Sequence, residues 1–127
     1  MKSKSDKRLI IECKVNNKPA NFLIDTGASI ALIDNNQASK YSLIRGRKYN
    51  GVITGAGGNI EDTYICNTFA YISNKPLTQF ILADIENIVD SIEKETKIKI
   101  LGIISLPQMK TVGIQIDAND NEIILEW

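Results

Sequence analysis

The chain has 127 residues, of which fifteen are basic, fifteen acidic and none histidine; 43% are apolar and 24% charged. That length suits one domain with a single core, and the balanced charge gives no basic field for nucleic acid or for an anionic membrane surface. Without histidine, Ser-His-Asp and Cys-His catalysis and histidine-held zinc are excluded, so any chemistry must run on carboxylates, hydroxyls or lysines.

In chain order, residues 1–7 are polar and charged and read as a disordered N-terminal tail. No apolar stretch of the kind found in a secretory signal follows them, and no apolar run approaches membrane-spanning length. A cytoplasmic location follows only if Met1 is the native start. Leu9, Ile11, Cys13 and Val15 alternate with Arg8, Glu12 and Lys14, the pattern of a half-buried strand, although Ile10 interrupts the polar face. Asn16-Asn17-Lys18-Pro19 is turn chemistry and leads into a second strand over 20–24.

Residues 31–33 make a short apolar strand, and Asp34 is placed to cap a short helix running to about Lys40. Further strands are expected over 49–53, 60–66, 68–72 and 77–83. Ile85, Ile88, Val89 and Ile92 fall at i, i+3, i+4 and i+7, which predicts a helix over 85–96 with Asp84 at its N-cap. A strand over 98–101, a helical turn over 105–110 and a hairpin of 112–117 with 122–127 complete the chain. The fold class is therefore mostly β, a closed or sandwich-like sheet with two or three short helices. Cys13 and Cys66 lie within apolar or alternating runs and read as buried free thiols.

An internal echo is also visible. Asn17-Lys18-Pro19 precedes Phe22-Leu23-Ile24-Asp25, and Asn74-Lys75-Pro76 precedes Phe80-Ile81-Leu82-Ala83-Asp84. Two readings stay open: a duplicated β-unit in which only the first copy keeps Thr-Gly after its aspartate, or ordinary hairpin chemistry used twice.

The most informative stretch is Phe22-Leu23-Ile24-Asp25-Thr26-Gly27-Ala28-Ser29, an apolar strand that runs straight into an aspartate. A carboxylate there is costly to bury unless hydrogen bonds surround it. A glycine-rich tip, Thr54-Gly55-Ala56-Gly57-Gly58, follows, and then a late Ile100-Leu101-Gly102. In these three features, in this order and spacing, the chain resembles the retropepsin-like aspartic proteases, the single-lobe relatives of pepsin, over nearly its whole length. The resemblance implies one domain over residues 8–127. Residues 85–96 are longer than the matching stretch in viral enzymes and look more like bacterial or cellular members.

The resemblance assigns Asp25, Thr26 and Gly27 to the catalytic loop. Ala28 and Ser29, with the flap residues Thr54, Gly55, Ala56, Gly57 and Gly58, would contact substrate. Ile30, Leu32, Ile53 and Ala56 are candidates for lining side-chain pockets, although Ile30 and Leu32 could equally be core. The implied mechanism needs two aspartates, and this chain supplies one in the proper context. Asp34 and Asp84 read as helix caps, so the active form is expected to be a homodimer cutting an extended polypeptide, without metal or cofactor. The chain departs from the family at Ile104, where Asp or Asn is typical. A rival reading keeps the fold but makes it a catalytically weak or inactive peptide-binding or dimerisation module. Pepsins usually have serine at the position of Ala28, so a working pH well above pepsin's is expected here.

Overall fold

A computed structural model describes residues 1–55 and 58–125. β1 (Ile10–Val15) and β2 (Lys18–Asp25) form an antiparallel hairpin with Val15 opposite Lys18. Its two turn residues, Asn16 and Asn17, both take positive φ (50° and 66°), a conformation asparagine tolerates. β3 (Ala31–Asp34) follows and ends in a single 3-10 turn, Asn35–Gln37, rather than a helix reaching Lys40.

β4 (Arg45–Lys48), β5 (Ile53–Gly55), β6 (Gly58–Ile60), β7 (Tyr64–Cys66), β8 (Ala70–Ile72), β9 (Lys75–Leu77) and β10 (Phe80–Ala83) come next. Then follow α1 (Glu86–Thr96), β11 (Gly102–Ser105), α2 (Leu106–Val112), β12 (Ile114–Asp117) and β13 (Glu122–Leu125). Of the described residues no helix is long and apolar enough to cross a membrane.

Nine strands form one sheet in the order β4-β7-β10-β3-β11-β2-β1-β8-β9. Apart from β9 at one end, the order is symmetric about the β3–β11 pair. β3 and β11 pair antiparallel. Outside them lie β10, parallel to β3, and β2, parallel to β11; beyond these are β7 and β1, and then β4 and β8, all antiparallel. Register fixes the equivalences. Ser105 stands beside Asp25, and Asp34 stands opposite Ala83 in the matching pair. Phe22 and Phe80, whose rings are 5.5 Å apart, are thus counterparts, and so are Asp34 and Ser105.

Both of those polar residues cap the segment that follows. Asp34 accepts from the Asn36 amide at 3.2 Å, and Ser105 shares a capping box with Gln108. The echo in the sequence is therefore a structural repeat, and its second copy carries Ala83 where the first carries Asp25.

The central strands are buried on both faces, which explains their unbroken apolar runs. Phe22, Ile24, Ile33, Phe80, Leu82 and Ile104 point into one core layer. Leu23, Leu32, Ile81 and Ile103, next to them in sequence, point into a second layer that holds Val89 and Ile92 of α1 and Ile53 of β5.

Several expectations need correcting. Of residues 49–53 only Ile53 is in a strand, while the polar Arg45–Lys48 forms one at the sheet's end by pairing with β7. The expected strand over 60–66 breaks around Asp62 (φ 55°), and the one over 77–83 breaks at Gln79 (φ 66°). The strand expected at 98–101 begins instead at Gly102. α1 starts one residue later than expected, with Ile85 in the N-cap position, yet the Asp84 carboxylate still accepts the Glu86 amide at 3.1 Å. Residues 1–7, expected as a disordered tail, are tied down. Lys2 bridges Glu122, the Ser3 amide donates to the Asn121 carbonyl, and the Ser3 hydroxyl donates to the carbonyls of Ser5 and Arg8.

Candidate active site

Asp25 is the last residue of β2. The three residues before it, Phe22-Leu23-Ile24, are apolar and buried, so β2 runs through the core until the carboxylate emerges at the surface, where Asp25 is exposed. The next three residues form a tight loop. The Gly27 amide donates to Asp25 Oδ1 at 2.9 Å, and the Ala28 amide donates to the Asp25 carbonyl at 3.1 Å. A Cβ at position 27 would come within 3.3 Å of that same Oδ1, so glycine gives the carboxylate room to lie over the turn.

The far side of the loop is held as well, because the Leu106 amide donates to the Ala28 carbonyl at 3.1 Å. Loop and β11–α2 junction thus brace each other. Thr26, Gly27 and Ser29 are exposed beside Asp25, and Ala28 is half-buried against the second core layer.

The glycine-rich tip belongs to a separate two-stranded hairpin of β5 and β6. Thr54 pairs with Asn59 and Gly55 with Gly58, and the Thr54 hydroxyl lies 3.3 Å from Asn59 Oδ1. Gly58 takes φ 109°, open to glycine and strained for other residues. Ala56 and Gly57 lie outside the described residues. At the hairpin's base, Ile53 and Ile60 join the same apolar layer as Ala28 and Ile30. Leu32 and Ile53, offered above as pocket residues, are core side chains at 8% and 6% exposure. Ile30 does line a pocket.

That pocket, about 230 Å³, opens beside the Asp25 loop between Ser29, Ile30, Tyr49, Gln79, Ile81 and Gln108, among others. Tyr49, Gln79 and Gln108 carry no sequence signal that marks them as site residues. Only the fold brings them to Ser29. Gln108 is fixed by donating to the Thr78 carbonyl at 2.5 Å and accepting from the Ser105 amide at 3.3 Å.

Asp34 and Asp84 are committed elsewhere. Asp34 is 2% exposed and accepts from Asn36 and Gln37 side chains at 2.9 and 3.0 Å, while Asp84 accepts from the Asn36 side chain at 2.7 Å. Ile104 is fully buried next to Ile24, so this fold has an apolar contact at the position where the chain departs from the family's Asp or Asn. Among the described residues, the carboxylates close enough together to hold a cation are Asp117, Asp120 and Glu122 on the β12–β13 turn, a group without Asp25. Cys13 and Cys66 are buried free thiols, and burial pushes Cys13 up to about 12.

A sequence model of the aspartyl protease family matches residues 11–78, more than half of the chain. No curated protein sequence gives a match. Among solved structures, the chain is similar to the equine infectious anaemia virus protease bound to an inhibitor (24% identity, TM-score 0.65, covering 92% of this chain and 99% of that one). It is also similar to the retroviral protease-like domain of Ddi1 from Leishmania major (16%, TM-score 0.62, 94% and 88%). A third likeness is to a retropepsin-like aspartic protease from Rickettsia conorii (20%, TM-score 0.59, 96% and 93%). The fold is thus the mostly-β retropepsin-like lobe, and the chain belongs to the aspartyl protease family.

Proposed function

We propose that this chain is an aspartic endopeptidase that acts as a symmetric homodimer, with Asp25 of each subunit meeting at the two-fold axis. The observation that carries this reading is Asp25 itself: an exposed carboxylate at the end of a core strand, lying over a loop whose Gly27 amide donates to it at 2.9 Å. The internal repeat supports the dimer, because the position equivalent to Asp25 holds Ala83. One protomer therefore has half of a carboxylate pair, and two-fold association supplies the other half.

Two carboxylates in contact cannot both ionise, so the pair holds one proton. The ionised member takes a proton from a water, whose oxygen attacks the peptide carbonyl carbon, while the protonated member donates to the carbonyl oxygen. Collapse of the tetrahedral intermediate breaks the C–N bond as the pair returns a proton to the leaving amine. No metal or cofactor enters these steps.

The substrate lies as an added strand between the loop and the β5–β6 hairpin. Thr54, Gly55 and Gly58, with Ala56 and Gly57 outside the described residues, form the flap over it. Ala28 and Ser29 face the peptide from below, and Thr26 hydrogen-bonds across to the partner's loop. The last strand, β13, contributes to the dimer contact; Glu126 and Trp127 lie outside the described residues.

The test is digestion of a mixed peptide library read by mass spectrometry, with Asp25→Asn beside the wild type. Internal cuts made by the wild type and missing from the variant support the reading. Binding of peptides without any cut by either protein overturns it in favour of an inactive module. With alanine at position 28, the pH–rate profile is expected to peak well above pepsin's range, and Ala28→Ser is expected to lower that optimum.

A further inference from the structure

The β1–β2 pairing runs out next to Asp25, where the segment leading into β1 brings a charged residue. Ile10 pairs with Leu23, and the ladder continues one step further through the Ile24 amide, which donates to the Leu9 carbonyl at 2.9 Å. Arg8 directly precedes Leu9, and Asp25 directly follows Ile24, so the two flank this last hydrogen bond between the segments. Arg8 precedes β1, yet it stands near enough to Asp25 for the two charges to act on each other. Both residues are exposed.

Arg8 does not swing freely there. Its Nε lies 2.8 Å from Glu95 Oε1 and its Nη2 3.3 Å from Glu95 Oε2, a two-point contact with the last turn of α1. Lys7 holds the same turn, donating from Nζ to the Glu95 carbonyl at 3.1 Å. The Glu95 hydrogen bond, and then its charge, hold the Arg8 guanidinium above its ordinary range; burial opposes this slightly, and the Asp25 charge adds to it. The same hydrogen bond, followed by the Arg8 and Lys7 charges, pulls the Glu95 carboxyl down, with burial acting the other way. The charged groups converging here are therefore Asp25 of β2, Arg8 and Lys7 of the segment leading into β1, and Glu95 of α1.

We propose that Arg8 is a positioning residue for the candidate reaction, held by Glu95 so that its charge sets the ionisation of the Asp25 pair. This rests on the peptidase reading above. A fixed cation next to a carboxylate favours the ionised form, and a fixed anion next to it favours the protonated form. In the dimer each member of the pair has its own Arg8–Glu95 unit alongside. Arg8 and Glu95 thus push in opposite directions, and the geometry of their ion pair sets the balance between them.

The experiment is the pH dependence of kcat/KM for a cleavable peptide, measured at low ionic strength because exposed charges are screened by salt. In Arg8→Gln the acid limb should move to higher pH by roughly half a unit, and in Glu95→Gln it should move to lower pH by a similar amount. Arg8→Lys should leave it near the wild-type position, and added salt should shrink both shifts. A merely structural ion pair predicts something different: both glutamine variants lose the same contact, so any effect has the same sign in both. Limbs that coincide, or that move together, overturn the proposal.

If the wild type makes no Asp25-dependent cut, the peptidase reading fails on its own. The Asp25 carboxyl, titrated by carbon-13 NMR in the same three variants, then decides the Arg8 proposal separately. The opposite ordering of Arg8→Gln and Glu95→Gln supports it, and identical titrations overturn it.

Discussion

Gly102 lies so close to Leu32 that a side chain has no place between β11 and β3. A Cβ on Gly102 would collide with the Leu32 carbonyl oxygen and stand 3.0 Å from Phe22 Cε2 and 3.2 Å from the Ile33 Cα. Backbone cannot yield there as a flexible side chain would. Gly102→Ala should therefore cost about 1–3 kcal/mol and push β11 away from β3. Because the Leu106 amide just beyond β11 holds the Ala28 carbonyl, the Asp25 loop should loosen with it. Urea unfolding checks this, and an unchanged midpoint in Gly102→Ala would contradict the close approach.

Ile104 offers a sharper contrast between family pattern and local packing. It is fully buried among Phe22, Ile24 and Phe80. Introducing the family's polar residue as Ile104→Asn would bury an amide in an apolar layer and lose aliphatic packing. The expected cost is about 2–5 kcal/mol, read as a lower melting temperature. A variant as stable as the wild type would mean that the site holds a polar partner after all.

Asp34 should behave as a structural acid. Its carboxylate accepts the Asn36 amide at 3.2 Å, the Asn36 side chain at 2.9 Å and the buried Gln37 Nε2 at 3.0 Å. Asp34→Ala should cost about 1–3 kcal/mol, because it removes a cap and leaves Gln37 with the Ile100 carbonyl alone. Asp34→Asn should not rescue it fully, since it turns an amide toward the Gln37 donor. Thermal melts of both variants give the comparison; full stability in either would argue against the network.

Cys13 links stability to alkaline pH. Burial, and then the Glu12 charge, raise its thiol from an ordinary value of 9.0 to about 12. Between those values the unfolded chain gives up this proton while the folded chain keeps it. The thiol's contribution is therefore complete below pH 9 and is lost on the way to pH 12, by about 1.4 kcal/mol per pH unit at most. The difference in unfolding free energy between the wild type and Cys13→Ala, followed from pH 8 to 11, should shrink as pH rises. A constant difference would place the thiol in contact with water.

Much of the site was legible because its causes are local. An apolar run ending in Asp25-Thr26-Gly27 needs only its neighbours to be recognised, and the Gly27 amide reaches Oδ1 two residues back. The period of α1 and the capping role of Asp34 are local too. The edge strand Arg45–Lys48 was not legible, since three of its four residues are cations and only pairing with β7 makes it a strand. Tyr49, Gln79 and Gln108 were likewise silent: they come from three separate stretches of chain and meet only at the pocket beside Ser29.

By itself, then, the sequence determined where an acid would leave the core, which turn would hold it, and that one chain offers a single such acid. Tertiary structure alone decided that β11 would slot between β2 and β3, and that Ala83 would fall where a second Asp25 could have been. The division has one physical cause. Side-chain periodicity and turn chemistry act over a few residues and are written in order along the chain, whereas strand pairing is chosen by how two apolar layers close over the whole domain.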